Sequence, residues 1–116
     1  MRLVILPECQ AGALTYKIIF SDKALQIADV RAQVEHAEQL IRLSKHGSYT
    51  TLRAIPRSAA VLFEMLLHEI IHIHNHLWCG GDLTEQQTEA LAAGLTQSLL
   101  SLGIEPDFSQ IPEERL

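Results

Sequence analysis

Three residues in the middle of the chain have the types and spacing of a metal site. His68 and His72 stand four positions apart, and Glu69 directly follows the first histidine. On a helix, side chains four positions apart project from one face about one turn apart, so the two imidazoles can converge on one Zn²⁺. The carboxylate of Glu69 can then accept a proton from metal-bound water instead of binding the metal. The pattern predicts a zinc site with a general base.

The residues around this motif predict the helix that it needs. Apolar residues recur at the three-to-four spacing of a buried helical stripe, at Leu62, Leu66, Ile70, Ile73 and Leu77. Pro56 suits the start of a helix, because its fixed φ is helical and its missing N–H is not needed in the first turn. The run Cys79-Gly80-Gly81-Asp82 suits its end. We therefore expect one helix over residues 58–78.

A second helix is predicted directly after this stop. Thr84-Glu85-Gln86-Gln87 has the form of a capping box, in which the threonine and the glutamine each satisfy a free backbone N–H. The helix is expected to run to about Leu102. It is expected to pack on the first helix as an antiparallel hairpin. The leucines expected to make this contact are Leu91, Leu95, Leu99 and Leu102.

A catalytic zinc normally takes three protein ligands and leaves one position open, so a third ligand is required. The sequence offers Glu85, Glu89, His74, His76 and Cys79. Residues spread over two straight turns cannot all reach one ion, so His74 and His76 are expected to face solvent or to lie at the helix end. With a loop centred near Gly81, simple hairpin geometry places Glu89 nearer to His72 than Glu85 is.

The first half of the chain predicts a small sheet. The expected elements are a strand at Leu14–Phe20 with a turn at Ser21-Asp22, a strand at Glu38–Ser44 with a turn at Gly47-Ser48, and an extended piece at Tyr49–Ile55. Residues 24–37 fit either helix or strand, and the tail from Gly103 is expected to be a surface strand or coil. The predicted fold is α+β, a single domain over residues 1–116 in which an N-terminal sheet packs on the two-helix hairpin.

Composition excludes several classes of protein. The chain has 116 residues, of which 47% are hydrophobic and 20% charged, which is typical of a folded domain. Its net charge of −5 and its lack of a basic cluster argue against nucleic acid as a partner. No segment has the length of a signal-peptide core or a membrane span. Two cysteines suit reduced thiols, so we expect a cytoplasmic protein with no membrane partner.

The two predicted helices resemble those of a known group of enzymes. Leu67-His68-Glu69-Ile70-Ile71-His72, followed by Glu85-Gln-Gln-Thr-Glu89-Ala-Leu-Ala92, is similar to gluzincin-type zinc metallopeptidases. The run Leu91-Ala-Ala-Gly-Leu95 further resembles small zincin-like proteins of phages and prophages. The resemblance covers roughly residues 38–102. It implies Glu85 as the third zinc ligand and Glu89 as a carboxylate that hydrogen-bonds a ligand histidine.

Further roles remain open on the sequence alone. Glu64 lies one turn before His68 and could orient that imidazole. Stabilisation of a developing oxyanion could come from Tyr49, His36 or His46, and their spacing does not select among them. The resemblance also implies that an edge strand aligns peptide substrates by strand addition, with residues 38–44 and 49–55 as candidates.

These observations predict a zinc-dependent metallopeptidase that acts on a peptide or protein substrate. One alternative is a zincin-like binding module, associated with phages, in which the metal is structural or the activity has been lost. Retention of Glu69 argues against this alternative, because a structural site needs no base. The other alternative is a helical hairpin without metal, with His68 and His72 as partly buried residues. The pattern identifies neither the substrate nor the oligomeric state.

Overall fold

The structure is a computed structural model and describes residues 1–28, 30–46 and 56–114. These residues form a small α+β domain. Its elements in chain order are β1 (Arg2–Val4), β2 (Glu8–Ala11), β3 (Leu14–Phe20), α1 (Asp22–Ala28), β4 (Ala32–Glu35), β5 (Leu40–Leu43), α2 (Ala59–Trp78), α3 (Glu85–Ser101) and β6 (Glu105–Asp107). The predicted turn at residues 47–48 and the predicted extended piece at 49–55 lie outside the described residues.

Within the described residues, the larger sheet has four strands in the order β2-β3-β5-β4. β3 and β5 are parallel, with Ile18 opposite Ile41, and the other two pairings are antiparallel. The strand predicted at Leu14–Phe20 is confirmed as β3, and β5 lies within the strand predicted at Glu38–Ser44. Because β5 is paired on both sides, the outer strand at that end of the sheet is β4.

The predicted turn at Ser21-Asp22 is wrong, because α1 begins there. Asp22 lies in the first turn, where a carboxylate favours helix, and Leu25 is fully buried beneath that helix. The carboxylate of Asp22 also accepts hydrogen bonds from the backbone N–H groups of Lys45 and His46, which follow β5. The ambiguous segment 24–37 therefore contains most of one helix and all of β4.

One face of the sheet meets α2 in the hydrophobic core. Alternate residues of the central strands point to this face, and they include Tyr16, Ile18, Phe20, Ile41 and Leu43. From α2, Leu62, Leu66 and Ile73 are buried as the predicted stripe requires, whereas Ile70 and Leu77 are only partly buried. The core thus fixes which side of α2 faces the sheet.

The long helix begins later than Pro56. This proline pairs with His46 in an isolated antiparallel bridge, and the side chain of Ser58 caps the helix by accepting the N–H of Val61. The predicted helix over residues 58–78 corresponds to α2 with its N-cap. Proline therefore precedes the cap rather than occupying the first helical turn.

α3 packs on α2 through a different face from the one predicted. Of the four leucines predicted to pack, Leu91 and Leu95 are 45% and 46% exposed and Leu102 is 79% exposed. Only Leu99 is partly buried, and it packs against the core. The contact face consists of Thr88, Ala92 and Thr96, which are all buried. These residues are small, so the two helices can approach closely. The hydroxyl groups of both threonines donate to carbonyls of the preceding turn, which removes the cost of burying them.

The two ends of the described chain meet each other and the main sheet. β1 and β6 form a parallel pair, and β6 lies in the tail that was predicted to be a surface strand or coil. Later in the tail, the carbonyl of Pro112 accepts the N–H of Phe20 in β3, and the N–H of Glu114 donates to the carbonyl of Phe20. The tail therefore pairs with the end of β3 beyond the point where β2 stops. No described helix is long and apolar enough to cross a membrane.

Candidate metal centre

The side chains of His68, His72 and Glu85 converge at the junction of α2 and α3. The two histidine Nε2 atoms are 3.0 Å apart. One carboxylate oxygen of Glu85 lies 2.7 Å from Nε2 of His68, and the other lies 3.1 Å from Nε2 of His72. Tetrahedral zinc with bonds near 2.0–2.1 Å holds its donor atoms about 3.3 Å apart. The three groups are thus close to the spacing that a shared cation requires.

The donor set also matches zinc chemically. Two imidazole nitrogens and one carboxylate oxygen are borderline donors that suit Zn²⁺, and three such ligands leave a fourth position for water or substrate. Among the histidine, cysteine, aspartate and glutamate side chains of the described residues, these three lie close enough together to hold a metal ion. Cys79 is exposed just beyond α2 and is not part of the group.

Asn75 explains why Glu85 reaches the histidines. The side chain of Asn75 is buried and donates to the carbonyl of Leu83, while its oxygen accepts the Leu83 N–H at 3.0 Å. The backbone carbonyl of Asn75 also accepts the N–H of Gly81. Leu83 is therefore held against the last turns of α2, and Glu85, two residues later, reaches His72. The hairpin argument for Glu89 assumed a loop symmetric about Gly81, which these bonds prevent.

The first turn of α3 is fixed independently. The hydroxyl of Thr84 accepts the Gln87 N–H at 3.0 Å, and the Gln87 side chain accepts the Thr84 N–H at 2.8 Å. The predicted capping box is confirmed. Because this box sets the direction in which α3 leaves the loop, it places Glu85 at the positive end of the helix, where a carboxylate is favoured.

Glu69 lies beside this cluster and is largely buried. It is only 6% exposed, although it borders the cavity at the cluster. Burial is the main cause that raises the pKa of Glu69 to about 7; the negative charge of Glu85 raises it further, and Arg31 opposes the shift. A carboxyl group with this pKa gains and loses a proton near neutral pH, which suits a general acid and base.

An open cavity of about 860 Å³ borders the cluster. Its walls come from β4 on one side and from α2 and the start of α3 on the other, with Ala32, Val34 and His36 lining the sheet side. Residues 38–44 do not provide an edge strand, because β5 runs between β3 and β4. Among the described strands, the one that borders the cavity and is paired on one side only is β4.

Of the three oxyanion candidates, the structure brings only His36 into this cavity among the described residues. Nδ1 of His46 instead lies 2.6 Å from Asp22, in a separate pocket, and Tyr49 lies outside the described residues. Nδ1 of His36 is 3.2 Å from the hydroxyl of Tyr16, and its ring stacks on His76 with centroids 4.2 Å apart.

The remaining predicted residues lie around the cluster. Glu89 borders the cavity and is exposed, and no hydrogen bond between described residues links it to His68 or His72. Glu64 shares a smaller neighbouring pocket with His68 and Glu89. His74 and His76 are both exposed, as expected.

Three residues of the site were not predicted, namely Tyr16, Arg31 and Asn75. An asparagine near a helix end, shortly before two glycines, is a signal for a side chain that closes the turn, so Asn75 could have been found. Tyr16 and Arg31 carry no such local signal, because their contacts depend on how the sheet meets α2.

The chain was compared with models of protein families, with curated proteins and with solved structures. No family model, curated protein or solved structure matches the chain.

Proposed function

We propose that the protein is a small zinc-dependent metallopeptidase. The observation that carries the proposal is the convergence of the His68, His72 and Glu85 donor atoms beside the buried carboxyl group of Glu69. A purely structural zinc site is normally closed by a fourth protein ligand. Among the described residues, this cluster instead has three donors at the wall of an open cavity, which supports a catalytic role.

The chemistry expected here is addition of water to a peptide carbonyl. When bound, zinc would polarise the carbonyl and lower the pKa of water at its open position. Glu69 would accept the proton from the attacking water and later deliver it to the leaving amine nitrogen. Burial favours this role, because a carboxyl group with a pKa of about 7 can take up a proton at neutral pH and release it again.

The edge of β4 that no described strand pairs with supports an extended peptide as the substrate. The Arg31 carbonyl accepts the Ser44 N–H, so Arg31 belongs to a hydrogen-bonded pair of the antiparallel β4–β5 ladder. Since such pairs alternate along a strand, the backbone groups of Ala32 and Val34 face away from β5. Both residues border the cavity. A peptide added beside them would form a further strand and pass the metal cluster.

The decisive experiment compares wild type with Glu69→Gln. The amide has nearly the shape of the carboxyl group but cannot accept the proton, so cleavage should fall by about 10²–10⁴-fold. Both proteins, prepared without a histidine tag, would be incubated with a peptide library and the products read by mass spectrometry. Elemental analysis should find about one zinc per chain in both proteins.

Glu105→Gln is the matched control, because it neutralises an exposed glutamate of β6 that lies outside the cluster. It should cleave like wild type, and chelator-treated wild type should be inactive. Equal cleavage by wild type, Glu69→Gln and chelated protein would reveal a contaminant and overturn the enzyme proposal. Zinc binding that survives replacement of His68 and His72 by alanine would overturn the proposed metal centre.

A further inference from the structure

Three side chains form a connected array on the sheet side of the cavity. His36 directly follows β4 and is half-buried, Tyr16 lies beneath it at 1% exposure, and His76 covers it from α2. The Tyr16 and His36 rings meet edge to face, and the His36 and His76 rings are stacked with an interplanar angle of 25°. The ring of His36 is therefore held by contacts on two sides.

From this array we infer that Tyr16 fixes His36 as the tautomer protonated at Nε2, and that this N–H binds the carbonyl oxygen of the scissile peptide. The inference rests on the proposed peptidase function for the identity of the ligand. The part that concerns the tautomer does not depend on it.

The tautomer follows from the hydrogen-bonding needs of a buried hydroxyl. A tyrosine hydroxyl has one proton to donate, and buried donors are almost always paired. Among the described residues, the partner within reach of this hydroxyl is Nδ1 of His36, at 3.2 Å. If Tyr16 donates, Nδ1 must be unprotonated, and a neutral imidazole then has its proton on Nε2.

The protonation state of the ring is consistent with this role. Burial is the main cause that lowers the pKa of His36 below its usual value, and His76 and His72 lower it further. The imidazole is thus neutral at neutral pH and has one donor and one acceptor. Since the acceptor is occupied by Tyr16, the donor is the atom left for a ligand.

The position of His36 suits an oxygen atom at the metal cluster. It stacks on His76, which lies one turn after His72, so its ring is roughly one turn, about 5–6 Å, along α2 from a predicted ligand. A group that donates to the substrate oxygen would strengthen that bond as negative charge develops on the oxygen. His36 would then act as a catalytic residue, with Tyr16 as its positioning residue.

The first test reads the tautomer directly. Nitrogen-15 NMR of the full chain distinguishes Nε2–H from Nδ1–H histidines, in protein without added metal. We expect His36 in wild type to be the Nε2–H tautomer, and Tyr16→Phe to convert it to a mixture, with an unchanged melting temperature as the check on folding. The Nδ1–H tautomer in wild type, or no change in Tyr16→Phe, would overturn the inference.

The second test measures the donor itself with the zinc-loaded chain and acetohydroxamate, whose carbonyl oxygen mimics that of a substrate. His36→Phe keeps an aromatic ring for stacking but has no donor, and it should bind the probe at least tenfold more weakly. His36→Gln restores an N–H and should recover part of the affinity, whereas the exposed control His74→Ala should match wild type.

Equal probe affinity in wild type and His36→Phe, with zinc fully bound, would overturn the role of His36 and leave the proposed peptidase intact. Failure of wild type to bind zinc would instead overturn the peptidase proposal and, with it, the carbonyl-binding role of His36. The NMR result would then decide the tautomer separately. For any peptide that wild type cleaves, loss of the donor should lower kcat by about 10²–10³-fold.

Discussion

Asn75 connects the last turns of α2 to the segment before α3 that positions Glu85. Its side chain makes two hydrogen bonds to Leu83, and its carbonyl closes the turn at Gly81. We expect Asn75→Ala to lower the free energy of unfolding by about 2 kcal/mol, because it removes two hydrogen bonds to the partly buried Leu83. It should also weaken zinc binding, since Glu85 would no longer be held near His72.

Urea unfolding and a chelator competition would measure these two effects in the same protein. His74→Ala changes the exposed residue directly before Asn75 and serves as the control. An Asn75→Ala protein as stable as this control would show that the connection between the helices does not depend on the asparagine.

The two glutamates of α3 are expected to differ in their effect on the metal. Glu85→Gln should weaken zinc binding more than Glu89→Gln, because Glu85 lies within 2.7–3.1 Å of both histidines, whereas no described hydrogen bond joins Glu89 to them. Loss of a group that only orients a ligand costs roughly 10–100-fold in affinity. Titration with a competing chelator gives the ranking, and the reverse order would identify Glu89 as the ligand.

At this scale the sequence indicated the histidine pair and the neighbouring glutamate, because helical spacing alone puts them on adjacent positions of one surface. It did not decide whether Glu85 or Glu89 is the third metal ligand. Their placement depends on the hydrogen bonds between Asn75 and Leu83, which a count of loop residues does not contain.

Among the elements, the contact between α2 and α3 depends on small side chains. Ala92 is 1% exposed between the helices, so a larger residue there has no space. We expect Ala92→Leu to lower the free energy of unfolding by about 1–3 kcal/mol through overpacking. Ala93→Leu adds the same atoms at an exposed position and should be nearly neutral. Thermal unfolding of the two variants tests the difference, and equal stabilities would contradict the observed packing face.

Helix and strand positions were more predictable than the surfaces through which they pack. The strand at β3 and the capped start of α3 follow from local propensity and capping. The packing face of α3 does not, because three of the four leucines in the predicted stripe are exposed in the structure and only Leu99 is partly buried. Close approach of two helices at Thr88, Ala92 and Thr96 outweighs the leucine pattern.

At the scale of the whole molecule, Arg42 on the central strand β5 links distant parts of the chain. Its guanidinium is only 14% exposed and contacts Glu35 of β4 and, at 3.1 Å, Glu114 of the tail. The nearby Ser21 hydroxyl, followed by Arg42, holds the pKa of Glu114 below its usual value. A carboxyl group whose pKa is lower in the folded state stabilises the fold above its unfolded pKa and loses that contribution as the pH falls.

Stability should therefore decrease as the pH drops through about 4.5 and towards the lowered folded pKa of Glu114. Glu114→Gln should lose about 1 kcal/mol at pH 7 and show a shallower decrease in acid. Glu105→Gln alters an exposed glutamate of β6 and controls for the change in net charge. Urea titrations from pH 3 to 7 would measure the profiles. Parallel profiles for Glu114→Gln and wild type would exclude this contribution.

The order and direction of the strands in the sheet were the least predictable feature of the fold. Local signals do not show that β3 and β5 run parallel with β4 outside them, because strand order is decided by contacts between segments far apart in the chain. The edge available to a peptide was therefore expected either at residues 38–44, which the sheet places inside, or at residues 49–55, which lie outside the described residues.

The uneven exposure of the three metal-binding side chains has a consequence for kinetics. His68 and His72 are 13% and 28% exposed, whereas Glu85 is 61% exposed. If these residues hold zinc, an incoming chelator can displace the carboxylate first and form a mixed complex before either imidazole leaves. Exchange would then accelerate with chelator concentration instead of being limited by spontaneous release. The ion would be easy to transfer between molecules, even if its equilibrium affinity were high.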